Sequence, residues 1–383
     1  MSASASVSMS RLAELIRDHI RSKGPVSFAW FMEQALYHSE FGYYCSARKR
    51  IGREGDYYTN VSVGRAYGEI LAGQLVEMWE ILGRPEPFLI VEQGAEDGQL
   101  AADILEALRT SSEELFRCAL YRIVEPVARK RDEQRARLEP LAEVSWVDQL
   151  SELEPITGVF LSNELLDALP VHLVEYWGDE WHELLVRDAD DGFEFLRSSN
   201  LNSDLRKALQ GIEVSAPYRT EVNLAASEWV RAVASKLANG FVLIVDYGYP
   251  KAEYYSPERR EGTLTCYSKH RKSYEPLVRP GELDITAHAD FTAVAEAARR
   301  AGLSVAGFTD QHHFMVGAAE ARLRQLERQI AMSAGSTLHA DFVRNYRTLM
   351  HPGNLGLTFK FLLLSRHVDG RPSGFRYARE GAL

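Results

Sequence analysis

Phe88-Leu89-Ile90-Val91-Glu92-Gln93-Gly94-Ala95-Glu96-Asp97-Gly98 marks the point at which the texture of the chain changes, and its reading decides the fold. Phe88 to Val91 is a short apolar run with the length of a buried strand. Gly94 and Gly98 punctuate a turn, and Leu100, Ile104, Leu105 and Leu108 then recur at helical spacing. The same rhythm continues downstream. Ala119 to Val124 reads as a second strand ending at Glu125 and Pro126, followed by a charged helix to Leu138. Val144 to Val147 reads as a third ending at Asp148, Gly158 to Ser162 as a fourth ending at Asn163, and Phe241 to Val245 as a later one ending at Asp246. Strands alternating with amphipathic helices predict an α/β fold with a parallel sheet and right-handed crossovers.

Outward from that core, residues 1–85 read as an N-terminal helical cap. Ser10 is a capping residue for a helix carrying Leu12, Leu15, Ile16 and Ile20, and Ser27 for a second with Phe28, Phe31, Met32, Ala35 and Leu36 on one face. A turn-rich loop, Gly42 to Asn60, precedes a longer helix with Tyr67, Ile70, Leu71, Leu75, Met78 and Trp79 on its apolar face. Residues 86–383 form the expected core, interrupted at about 171–220 by an insertion of β-prone runs broken at Gly178-Asp179 and Asp190-Asp191-Gly192. A long loop is expected from Asp246 to about Ala289. A helix over Phe291 to Arg300, a strand near Val305, a charged helix around Arg322 to Ile330 and a final strand Leu357 to Leu364 close the chain.

The 383 residues carry a net charge of −10, which disfavours a general electrostatic grip on nucleic acid or anionic lipid. Apolar runs are too short to span a membrane. Three scattered cysteines, Cys45, Cys118 and Cys266, make neither a CxxC pair nor a disulfide framework. No metal-ligand spacing stands out, the adjacent His312 and His313 included. A reducing cytoplasm is the compartment these features suggest.

Ligands of open α/β sheets bind beyond the carboxyl ends of the strands, so the residues there are the candidates. Glu92 to Gly98 has no G-x-G-x-x-G, and its three carboxylates repel phosphate. S-adenosylmethionine, with a sulfonium, an ammonium and no phosphate, tolerates such a loop. Glu92, Gly94 and Gly98 would then line the cofactor, Glu125 accept the ribose hydroxyls, and Asp148 meet the adenine amino group. A tight strand-to-helix turn would also use two glycines, but carboxylates ending three strands in register favour a site. The second cluster, Asn163-Glu164-Leu165-Leu166-Asp167, puts two carboxylates three residues apart, suited to hold a guanidinium or take a proton from a nucleophile. Its plainer reading is a short capped helix ended by Pro170.

These motifs occur in order with others: Phe31-Met32 through Gly42-Tyr43-Tyr44, Gly55-Asp56-Tyr57-Tyr58-Thr59, Leu100 to Leu105, and Asn163 through Asp167 to Ala168-Leu169-Pro170-Val171. Further on come Asp246-Tyr247-Gly248-Tyr249, Gly262-Thr263-Leu264 with Tyr267, and Asp284 to Phe291. Over nearly its whole length the chain resembles the MidA family of class I S-adenosylmethionine-dependent methyltransferases, which includes a mitochondrial arginine methyltransferase needed for assembly of respiratory complex I. The resemblance implies a Rossmann-like methyltransferase sheet, S-adenosylmethionine as cofactor, and a protein arginine as substrate, a respiratory-complex subunit among the candidates. It also implies that the Gly55 to Thr59 loop closes over the cofactor through Gly55, Asp56, Tyr57 and Thr59, and that Asn163, a cofactor contact, orients the nucleophile with Glu164 and Asp167.

The family's first loop resembles Glu-Leu-Gly-Pro-Gly-x-Gly, whereas this chain has Gln93, Ala95 and Glu96 at the leucine, proline and middle glycine positions. A side chain at Glu96 is expected to sit in a backbone conformation costing about 1 kcal/mol outside glycine. Two other readings stay open: methylation of a small metabolite, and an assembly factor that keeps the fold without activity. The sequence leaves open whether the β insertion builds a homodimer contact or a substrate lid.

Overall fold

A computed structural model describes residues 10–45, 59–268, 271–332, 337–379 and 381–383. The chain divides into two compact units. One holds the first 57 residues with Asp167–Ala226 and Ala252–His288, and the other holds Tyr58–Leu166, Ser227–Lys251 and Ala289–Leu383.

The second unit carries the sheet. Its strands are β1 (Phe88–Gln93), β2 (Ala119–Val124), β3 (Val144–Val147), β4 (Ile156–Asn163), β5 (Leu237–Tyr249), β6 (Ser304–Asp310) and β7 (Phe359–Arg366), in the spatial order β3-β2-β1-β4-β5-β7-β6. The first five run parallel, and β7 is antiparallel to both β5 and β6. Because β1 and β4 are neighbours while the order reverses around them, a topological switch point lies at the carboxyl end of β1. Phe241 to Val245 of β5 and Phe361 to Leu364 of β7 are wholly buried, as expected of strands covered on both faces.

Three helices of this unit position the candidate residues: α1 (Ala66–Ile81), α2 (Gln99–Ser111) and α3 (Ala128–Leu138). The apolar face read for α1 is buried as expected, from Tyr67 through Ile70, Leu71, Leu75, Met78 and Trp79. At Gly68 a methyl group would lie 2.4 Å from Asp103 Cβ, so the glycine is what lets α1 approach α2 so closely. The expected border near residue 85 therefore differs from the observed division, because α1 shares the core of the sheet and not that of the first 57 residues.

In the other unit, Ser10 and Ser27 cap the helices Arg11–Lys23 and Phe28–Tyr37 as the sequence predicts. The insertion is antiparallel, with strands His172–Trp177, Glu180–Ala189 and Gly192–Ser198 joined by Tyr218–Val222 and by Val26–Ser27, the latter from a stretch not expected to form a strand. The segment expected as a long loop before Ala289 is not irregular throughout. It contains a three-stranded sheet built on Thr265–Ser268. Glu221, wholly buried, organises this region by accepting the backbone N–H groups of Thr263 and Leu264 and the hydroxyls of Thr263 and Tyr254.

Candidate active site

β1, β2 and β3 end level with one another: Gln93 pairs with Val124, Val124 with Val147, and the N–H of Glu125 donates to Val147 O at 3.0 Å. Glu92, Glu125 and Asp148 are thus brought to one edge of the sheet, as the register of the sequence implies. The loop after β1 turns on three residues of positive φ: Gly94 at +85°, Glu96 at +48° and Gly98 at +79°. Glycine is the usual occupant of such angles, so Glu96 carries the strain its sequence position predicts.

Helix α3 holds this loop. Lys130 Nζ lies 2.5 Å from Glu96 Oε2, and Gln134 donates one amide to Glu96 O at 2.9 Å and to Glu125 Oε2 at 3.4 Å. The Gln134 carbonyl accepts the Trp146 indole N–H at 2.8 Å, and Arg137 donates to both the backbone and the carboxylate of Asp97. The charged helix that the sequence predicts up to Leu138 is not turned to solvent on every side. Lys130, Gln134 and Leu138, one turn apart, form a buried stripe that fastens the glycine loop.

Glu125 is buried, and burial pushes its carboxyl up. Lys130 and the Val127 N–H, bonded at 3.0 Å, oppose that shift. Glu92 is pushed up to about 7, first by burial, against the stabilising hydrogen bond of 2.7 Å from the Tyr121 hydroxyl. Asp148 is half exposed and pairs with Arg131. Thr59 is buried, its Oγ1 accepting the Ser62 N–H at 3.1 Å while its own N–H donates to Ser62 Oγ at 2.9 Å. Gly55, Asp56 and Tyr57 lie outside the described residues.

At the end of β4 the Tyr67 hydroxyl donates to Asn163 Oδ1 at 2.6 Å, which turns the Asn163 amide nitrogen to Glu164 Oε1 at 3.1 Å. Glu164 sits at φ +54°, and its N–H donates to Val245 O on the neighbouring strand. The fully buried Asp246 fixes the chain on either side by accepting the N–H groups of Leu165 and Leu166 at 3.0 and 2.7 Å and that of Tyr247 at 2.8 Å. Asn163 and Glu164 are therefore brought together. Asp167 is buried and belongs to the other unit, where its carbonyl accepts the Ala287 N–H. Tyr67 and Asp246 were not among the predicted site residues. Tyr67 reads as one more apolar position of α1, and Asp246 as one more strand end.

A buried carboxylate at the second strand, a glycine loop with acidic neighbours and no phosphate-binding motif suit a cationic, phosphate-free nucleoside. A family model described as putative S-adenosyl-L-methionine-dependent methyltransferase matches residues 70–309. The chain belongs to that family. Its cofactor is S-adenosylmethionine and its reaction is methyl transfer, and the Glu92 to Gly98 loop and Glu125 fit that group.

The chain is similar, at 31% identity and a TM-score of 0.85, to the crystal structure of a superfamily member considered a methyl transferase, from Burkholderia thailandensis, bound to S-adenosyl-homocysteine. The match covers 97% of this chain and 96% of that one. It is 29% identical to the Drosophila melanogaster protein arginine methyltransferase NDUFAF7 homolog, mitochondrial, over 94% of this chain and 87% of the relative. With the human protein arginine methyltransferase NDUFAF7, mitochondrial, it shares 26% over 94% and 84%. These relatives overturn the expectation of a cytoplasmic protein, since the curated proteins most of the chain matches are mitochondrial. Three scattered cysteines do not distinguish one compartment from another. Among the described residues, no helix is long and apolar enough to cross a membrane.

Proposed function

We propose that this methyltransferase acts on arginine side chains of a protein substrate, with Asn163 and Glu164 as the groups that face the acceptor. The observation that carries this reading is the placement of Glu164. A non-glycine residue is held at φ +54° directly after β4, its carboxylate oriented by the Asn163 amide and its neighbours pinned by Asp246. Strain of that kind persists where the surroundings over-determine it and is concentrated at functional sites. The names of the fly and human relatives support the same substrate class.

Bound along the Glu92 to Gly98 loop, with Glu125 on its ribose, S-adenosylmethionine supplies an electrophilic methyl group on a sulfonium that departs as a neutral thioether. The protein's part is then orientation. Glu164 holds the planar guanidinium through charge-assisted hydrogen bonds and takes the proton that leaves the methylated nitrogen. Gly94, Gly98, Thr59 and Asp148 complete the proposed cofactor contacts, Asp148 sharing its carboxylate with Arg131. A subunit of a respiratory complex is the candidate acceptor that the resemblance to the MidA family implies.

Incubation of the purified chain with methyl-labelled S-adenosylmethionine and a protein extract should place label in precipitable protein, and acid hydrolysis should release methylarginine. Label confined to the small-molecule fraction would overturn the reading.

A further inference from the structure

Asn60 occupies the N-cap position of the short turn Val61–Val63, a place where asparagine ordinarily accepts a backbone N–H through its side chain. Here it does not. Its backbone is already helical, at φ −54° and ψ −41°, and its amide makes no cap bond. The turn is secured by its neighbours, Thr59 and Ser62, which exchange reciprocal hydrogen bonds. Asn60 is wholly buried, yet among the described residues neither its Oδ1 nor its Nδ2 has a well-aligned hydrogen-bond partner. A buried carboxamide left so is expensive unless a ligand completes it.

Its surroundings say which ligand. The Asn60 amide reaches the Tyr67 hydroxyl, which burial first and then the charge of Glu164, with Glu92 adding to the effect, hold well above its ordinary value of 10 against the opposing pull of Asn60 itself. That hydroxyl is committed to Asn163 Oδ1, and the Asn163 amide nitrogen to Glu164. In a setting with two carboxylates, the group that satisfies the unmet Asn60 Oδ1 is a cation rich in donors. A guanidinium has five N–H groups, of which one carboxylate takes two.

We propose that Asn60 is a substrate-binding residue of the acceptor site, its Oδ1 accepting a guanidinium N–H that Glu164 does not. The inference rests on the reading of arginine as the methyl acceptor and adds the residue that completes its recognition. Tyr67 acts as a positioning residue, holding the Asn163 amide in the orientation that leaves Asn60 for the substrate.

The test uses the full chain loaded with S-adenosyl-homocysteine and a nonapeptide of alternating glycine and arginine as probe, titrated calorimetrically, with Glu164→Gln alongside. Asn60→Leu should weaken peptide binding about tenfold, the ~1.4 kcal/mol of a hydrogen bond to a charged group. Asn60→Asp, which keeps the acceptor, should stay within about threefold of the parent, and the affinity for S-adenosyl-homocysteine should move by less than about twofold in both. If Leu is not tolerated at this buried position, Asn60→Ser serves in its place, with the same expected loss. Weakened peptide binding in Glu164→Gln but not in Asn60→Leu would overturn this proposal and leave the arginine reading standing. A tenfold loss of S-adenosyl-homocysteine affinity in Asn60→Leu would also overturn it, assigning Asn60 to the cofactor. No peptide binding by the parent chain would sink the arginine reading and this inference with it.

Discussion

Lys130 Nζ lies 2.5 Å from Glu96 Oε2, joining helix α3 to the one non-glycine residue of positive φ in the loop after β1. Glu96 holds φ +48°, in the left-handed region. The ion pair fastens the side chain of this strained residue to the helix. Gln134, one turn further along α3, links the loop to Glu125 by bonding to both.

The strain and the pair can be separated by substitution. Glu96→Gly loses the pair but relieves the backbone, whereas Glu96→Ala loses the pair and keeps the strain. Ala should therefore be less stable than Gly by about 1 kcal/mol in urea unfolding. A double-mutant cycle with Lys130→Met should return a coupling of about 1 kcal/mol. Equal stability of the Ala and Gly variants would show that the left-handed angle costs nothing here.

Glu125 should dominate cofactor affinity. Replacing it by alanine removes the proposed acceptor of two ribose hydroxyls, and each such bond to a charged group is worth about tenfold. Calorimetric titration should find the Kd for S-adenosyl-homocysteine raised about a hundredfold, with thermal stability little changed. An unaltered Kd would remove Glu125 from the cofactor site.

Stability should depend on pH through Glu92. Its carboxyl is raised from an ordinary 4.5 to about 7, so the folded state binds the proton more tightly than the unfolded chain. The associated stability is fully present below about pH 4.5 and is lost as pH rises to about 7. A shift of that size corresponds to roughly 3 kcal/mol. Denaturation between pH 5 and 8 should show stability falling with pH, and Glu92→Gln should flatten the slope. Asp103, raised to about 6 mainly by burial, should leave a smaller residual slope of the same sign. A parent protein whose stability does not fall over this range would contradict the assignment.

Asp246 should matter to activity without touching substrate. Its side chain satisfies three backbone N–H groups around Asn163 and Glu164. Asp246→Ala leaves these buried donors unpaired, at a cost of about 3 kcal/mol or more. Hydrogen exchange at Leu165 and Leu166 should accelerate before that of the β5 core, and methyl transfer should fall with it. Unchanged exchange at these two amides would mean that the loop is held by other contacts.

The strand-end carboxylates were legible in the sequence because an alternating pattern of short apolar runs and amphipathic helices fixes which residues end strands, and parallel pairing then brings those ends to one edge. The positive φ at Glu96 was legible only through the resemblance, which implies a glycine at that position, and glycine angles strain any other residue. The partner of Glu96 was not. Lys130 is 34 positions away on a helix whose charges read as solvent-facing, and only the packing of α3 beneath the loop turns one stripe of it inward.

The sequence by itself determined the sheet and the candidates Asn163 and Glu164, which come from local periodicity and from the charge at strand ends, and its resemblance to a known family supplied the cofactor class. The tertiary structure decided which polar tips meet. Tyr67, read as one more apolar position of α1, delivers its hydroxyl to Asn163 96 residues away, and Asp246 reaches back 80 and 81 to the backbone of Leu166 and Leu165. Periodicity reports which face of an element is buried. The meeting of two side chains depends on strand order and helix approach, which no single stretch of chain encodes.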